Sequence, residues 1–107
     1  MDEQEFNQAA DAMLARIDAA LDASGADIDF ELKAGGVLEL ELANGSKIIV
    51  NRHGAAREIW LAAKSGGYHF KPESAERWVA TRDGEELLAA LTRCIAEQGG
   101  GQLDFTA

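Results

Sequence analysis

The stretch from Asp27 to Leu42, DIDFELKAGGVLELEL, alternates apolar residues with carboxylates on both sides of a glycine pair. Strict alternation is the period of a strand buried on one face. The segment therefore reads as a hairpin with one apolar side and one acidic side. Its register follows from keeping the apolar residues together, with Leu32 sharing a face with Leu38, and Phe30 with Leu40. A three-residue loop, Ala34-Gly35-Gly36, meets that condition, and glycine can take the left-handed position such a loop needs. Glu31 then lies opposite Glu39, and Asp29 opposite Glu41. Like charges facing each other across paired strands destabilise the pair, most strongly at low salt.

The rest of the chain supplies what a hairpin lacks. Phe6, Ala10, Met13, Leu14, Ile17 and Leu21 recur at helical spacing, which predicts an amphipathic helix from Asp2 to about Ala23. Asp2 with Glu5 gives it a capping box, and Ser24-Gly25 ends it. Asp11, Asp18 and Asp22 fall on one strip beside its apolar stripe. After the hairpin, Asn44-Gly45 marks a second tight turn, and four more strands are expected: Lys47–Asn51, Arg57–Ala63, Tyr68–Phe70 and Arg77–Ala80. Asp83, with Glu86 three residues on, predicts the start of a second helix carrying Leu87, Leu88, Leu91, Cys94 and Ile95. Gly99-Gly100-Gly101 closes it, and Leu103 and Phe105 of the tail are expected to pack back near the helices. One helix, six strands and one helix in 107 residues imply a single α+β domain over 1–107. The expected architecture is a two-layer α–β sandwich, with both helices on one face of an antiparallel sheet and the other face left open.

Charge narrows the function. The net charge is −9, and residues 1–41 carry all of it, with eleven acids against two bases. A nucleic-acid partner would require the opposite sign. No apolar run reaches the roughly 20 residues of a membrane span, and the acidic start MDEQEF is unlike a secretory signal. One cysteine, Cys94, allows no internal disulfide and suits a reducing compartment. A soluble cytoplasmic protein is expected.

Three readings of the acids stand side by side. They are a solvated strand face, a shallow site for hard cations, or a docking surface for a basic protein. Elsewhere the catalytic signals are weak. His53 and His69 have no metal-ligand spacing, Cys94 sits at a core position of its helix, and the glycine clusters lack the flanks of a phosphate loop. No enzyme is expected. Trp60 is a separate matter. With Ile59 and Leu61 turned to the helices, strand alternation sends Trp60 to the open face, where an anchor for a partner is expected. Arg52 and Arg57 flank it in sequence and are expected to make that face mixed or basic. Trp78 is expected in the core.

The segments NGSKIIVNR, IWLA and GGYHF, within Asn44 to Phe70, resemble signature segments of the frataxins of the bacterial CyaY type. The acidic first helix, the DIDFE strand and the DGEELL segment are similar too, so the resemblance runs over essentially the whole chain. It implies an α–β sandwich that binds iron (Fe2+/Fe3+) weakly along an acidic ridge, whose carboxylates also suit other hard divalent cations. It further implies docking on a cysteine desulfurase and modulation of cluster formation on the iron–sulfur scaffold protein, with iron carriage as the alternative. The metal-binding ridge carries over to Asp18, Asp22, Asp27, Asp29 and Glu31, with Asp11, Glu39 and Glu41 as neighbours. The partner-facing tryptophan carries over to Trp60 and its polar neighbour to Asn51, with Arg57 beside them. A monomer is expected without metal; whether iron drives it into oligomers is left open by the sequence. Members often have glutamine where His53 stands, and Ala19 and Ala23 occupy helix positions where relatives can carry acids.

Overall fold

The computed structural model describes residues 1–103 and 105. Helix α1 spans Glu3–Ser24, six strands follow, and helix α2 spans Leu87–Glu97. The strands are β1 Ile28–Lys33, β2 Val37–Leu42, β3 Lys47–His53, β4 Glu58–Ala63, β5 Gly66–Pro72 and β6 Trp78–Ala80. Every neighbouring pair is antiparallel and the spatial order is β1-β2-β3-β4-β5-β6. Short turns permit only such a meander. The expected α+β sandwich is the observed one.

Alternation divides each strand between two faces. Leu38, Leu40, Leu42, Ile48, Val50, Ile59, Leu61, Phe70 and Trp78 are buried in one cluster with Phe6, Leu14 and Ile17 of α1 and Leu87, Leu91 and Ile95 of α2. Phe6 meets Trp78 edge to face, with ring centroids 5.7 Å apart, so the start of α1 lies over β6. The helix then passes Arg52 of β3, where Asp11 accepts from Arg52 Nε at 2.8 Å, and packs on β1. Thus α1 crosses the sheet diagonally, and its acidic C-terminal half arrives at the outermost strand. Gly25, at φ 67°, ends the helix in the left-handed conformation, and β1 starts three residues later. Phe105 is buried in the same cluster, and Leu103 packs against it.

The capping box forms as expected: Asp2 accepts from Glu5 N at 2.8 Å, and Glu5 accepts from Asp2 N at 3.4 Å. The second helix starts later than expected. Asp83 accepts from Glu85 N at 3.0 Å and makes a local turn. Glu86 is the cap, accepting from Leu88 N at 2.9 Å and Ala89 N at 3.1 Å. At the other end of α2, buried Gln98 donates to Ser46 Oγ and Lys47 O and accepts from Lys64 N and the Asn44 side chain. One side chain and its carbonyl thereby tie the helix to two turns of the sheet. Cys94 is fully buried, and that burial pushes its thiol above the ordinary value, which disfavours the reactive thiolate.

The hairpin register is the one the alternation requires, with Leu32↔Leu38, Phe30↔Leu40, Glu31↔Glu39 and Asp29↔Glu41. The loop depends on Gly36. Its φ is 76°, and a Cβ there would lie 2.4 Å from Arg52 Cγ. Arg52 has little freedom to retreat, because its guanidinium is bound to Asp11 and its backbone N donates to Gly36 O at 2.9 Å. Gly36→Ala is therefore expected to cost about 1–2 kcal/mol in chemical denaturation, mostly from the left-handed backbone. Gly35→Ala, at φ 88° but with open space around its Cβ, is expected to cost less. Equal losses would show that Arg52 plays no part.

Candidate functional site

The open face of the sheet carries the acids and the aromatic residues together. At its β1–β2 end stand Asp29 and Glu31 against Glu41 and Glu39. Two lysines moderate the repulsion. Lys33, at the end of β1, forms an ion pair with Glu39, and Lys47, opposite Glu41 on β3, lies 3.9 Å from it. The hydrogen bond from Lys33 and its charge hold the Glu39 carboxyl below its ordinary value. Among the described residues, no lysine, arginine or histidine lies within 4.0 Å of Asp29 or Glu31 in an ion pair. The four acids, with Lys33 and Lys47, line a shallow depression.

The helix acids approach the same strand from the other layer. Asp11 and Leu14 line a depression with Leu32, Lys33, Gly36 and Arg52. This strip of α1 therefore faces the β1–β2 turn. Asp18 and Asp22, seven and eleven residues on, continue the strip along β1; Asp18 is half-buried and Asp22 exposed. Asp27 is exposed just before β1. The acids thus occupy two sides of one edge strand rather than one plane, and Asp11 is already bound to Arg52. Leu32 is 39% exposed at that edge, although it shares the inward face of Leu38. Among the described residues, no three carboxylate, histidine or cysteine groups converge closely enough to hold one metal ion. The donors are oxygen ligands of the kind that suit hard cations, arranged as separate pairs.

The unequal pairing of the acids has a measurable consequence. Asp29→Asn with Glu31→Gln removes two charges that form no ion pair among the described residues. It is expected to raise the melting temperature by roughly 2–5 °C at low salt, a gain that shrinks as salt is added. Glu39→Gln removes the partner of Lys33 and is expected to give no such gain. A lower melting temperature for the double variant would mean that Asp29 and Glu31 hold native hydrogen bonds.

Trp60 points to the open face from the middle of β4, since Ile59 and Leu61 on either side are buried. It is half-buried, and what covers it is aromatic. His53 stacks on one side of the indole at 3.9 Å between centroids and 12° between planes. His69 stacks on the other at 4.3 Å and 9°. Trp60 Nε1 donates to Glu58 Oε1 at 2.8 Å, and the same oxygen lies 3.6 Å from His69 Nδ1. Asn51 sits opposite Trp60 on β3 and donates to Arg52 O at 3.2 Å. Ile49 and Ala62 continue the face towards the acidic end. Arg57, at φ 56°, folds back on its own turn and donates from Nη1 to Gly54 O at 2.5 Å.

Arg52 does not join this face. It shares the inward side of β3 with Ile48 and Val50 and reaches α1 instead, because β3 runs on to His53 and keeps the alternation going. The expected basic pair around Trp60 is thus replaced by two imidazoles. No sequence spacing signals the histidine stack, since it is made by the registers of β3, β4 and β5.

The fold and the site define a class: a two-layer sandwich with an acidic edge at α1 and β1 and a tryptophan-centred open face. The frataxin-like domain family matches residues 1–101, and the chain belongs to that family. It is 56% identical to a protein of Dechloromonas aromatica named iron-sulfur cluster assembly protein CyaY, over 94% of each chain. A Vibrio cholerae protein of the same name is 54% identical, over 98% of this chain and 99% of its own. Among solved structures, the frataxin of Psychromonas ingrahamii superposes with a TM-score of 0.91 at 34% identity, over the whole of both chains. No helix is long and apolar enough to cross a membrane.

Proposed function

We propose that this protein is an iron-binding accessory protein of iron–sulfur cluster assembly. In this reading it docks its acidic edge on a basic surface of the cysteine desulfurase, contacts the scaffold complex through Trp60, and modulates cluster formation as iron binds. The observation that carries the reading is the two pairs of opposed carboxylates, Asp29–Glu41 and Glu31–Glu39, maintained across an edge hairpin at the expense of its own pairing. Asp18, Asp22 and Asp27 extend the negative field along the same strand. The name shared by full-length relatives at 54–56% identity supports the pathway.

Iron and the desulfurase would use overlapping carboxylates. A cation on the edge removes charge that docking needs, so each ligand changes the affinity of the other by one common factor. Separate carboxylate pairs suit weak, multiple binding better than retention of iron for transfer. This favours a regulator over the alternative, a carrier or store that delivers iron to the scaffold. Ferrous iron added to 15N-labelled protein is expected to perturb amides from Asp18 to Glu31 and around Glu39 and Glu41, leaving those of His53 and His69 unmoved. It is also expected to raise the melting temperature by mass action. Perturbations centred on either histidine would place the metal elsewhere. Regulator and carrier separate in an assembly assay with iron supplied freely: a regulator acts in proportion to desulfurase occupied, whereas a carrier becomes dispensable.

A further inference from the structure

We propose that His53, Glu58 and His69 are positioning residues that hold Trp60 upright for docking. The inference rests on the reading of Trp60 as a partner contact. Three neighbouring strands each contribute to the arrangement: His53 from β3, Glu58 and Trp60 from β4, and His69 from β5. Two near-parallel rings leave the indole no sideways rotamer, and the Glu58 carboxylate fixes its N–H end at 2.8 Å. A large side chain restrained in this way loses little rotamer entropy when a partner covers it, which is the gain of preorganisation.

Each contact of the clamp is anchored in turn. His53 Nδ1 accepts from Ala56 N at 3.3 Å, which ties that ring to the β3–β4 turn. His69 Nδ1 stands 3.6 Å from the Glu58 oxygen that Trp60 uses, so one carboxylate oxygen gathers the indole N–H and the second imidazole. Arg57, Arg82 and Asp83 make their own contacts elsewhere, and none has a polar contact with Glu58 among the described residues.

The test uses the intact protein labelled with 15N, which has two indole N–H signals, one from Trp60 and one from buried Trp78. In Glu58→Gln, and in His53→Gln with His69→Gln, the Trp60 signal is expected to move upfield and to exchange faster with water than in the native protein, while that of Trp78 stays fixed. In the second arm, His53→Gln with His69→Gln is expected to weaken binding to the desulfurase–scaffold complex about 5–10-fold, with circular dichroism unchanged. A Trp60 signal indifferent to all these substitutions overturns the positioning claim, whatever the binding arm shows. If the signal moves as described but Trp60→Ala binds the complex normally, the positioning stands and the docking reading fails.

Discussion

Trp60→Arg is expected to leave the fold intact and to weaken binding to the desulfurase–scaffold complex about 30-fold or more. The fold survives because Trp60 belongs to no core layer. Its neighbours Ile59 and Leu61 are the buried residues of β4, and an arginine can extend over the open sheet with its head in water. The affinity falls because a tryptophan near the centre of an interface is a common anchor, worth roughly 2 kcal/mol or more when truncated. Circular dichroism and the thermal transition serve as fold controls, and the affinity is read by titration. An unfolded Trp60→Arg would mean that the His53–Trp60–His69 stack is a structural core of its own.

Charge reversal along the acidic edge is expected to have the larger effect on the desulfurase alone. Asp18→Lys, Asp22→Lys and Glu31→Lys together change the charge by six, at three acids that form no ion pair among the described residues. Docking by complementary potentials becomes repulsion, and binding at low salt is expected to drop at least about 100-fold. Most of the loss should appear in the association rate, since steering acts before contact. The folded protein should be as stable as the native one or more so, because net charge is reduced. Normal association by this variant would place the desulfurase contact away from α1 and β1.

Different parts of this arrangement were legible in the sequence to different degrees, for physical reasons. The hairpin register was readable because period-two alternation and a three-residue glycine loop leave one way to keep Leu32, Phe30, Leu38 and Leu40 together. The same alternation put Trp60 on the open face. α2 starts later than the sequence predicts because Asp83 is a better cap by propensity than Glu86, whereas the bridge between Val79 and Glu86 holds the chain extended until Glu86. Arg52 is near Trp60 in sequence, yet its parity matches Val50 and sends it to the helix side of β3. The lysines that relieve Glu39 and Glu41 reach across strands, and the histidine stack spans three. Both depend on side-chain geometry that a linear pattern does not contain. Of the expected ridge, Asp11 alone is engaged by an arginine.

The central claim is that this protein docks through two physically different determinants, a charged edge and an aromatic anchor. Desulfurase–scaffold binding measured at several salt concentrations tests it most directly, for the native protein, for Trp60→Arg, and for a ridge variant combining Asp18→Asn, Asp22→Asn, Asp29→Asn and Glu31→Gln. The account predicts that Trp60→Arg lowers affinity by the same factor at every salt concentration, leaving the slope against salt close to native. It predicts that the ridge variant has a flatter slope and approaches native affinity at high salt. A ridge variant with the native slope, or a Trp60→Arg defect that disappears in high salt, would contradict it.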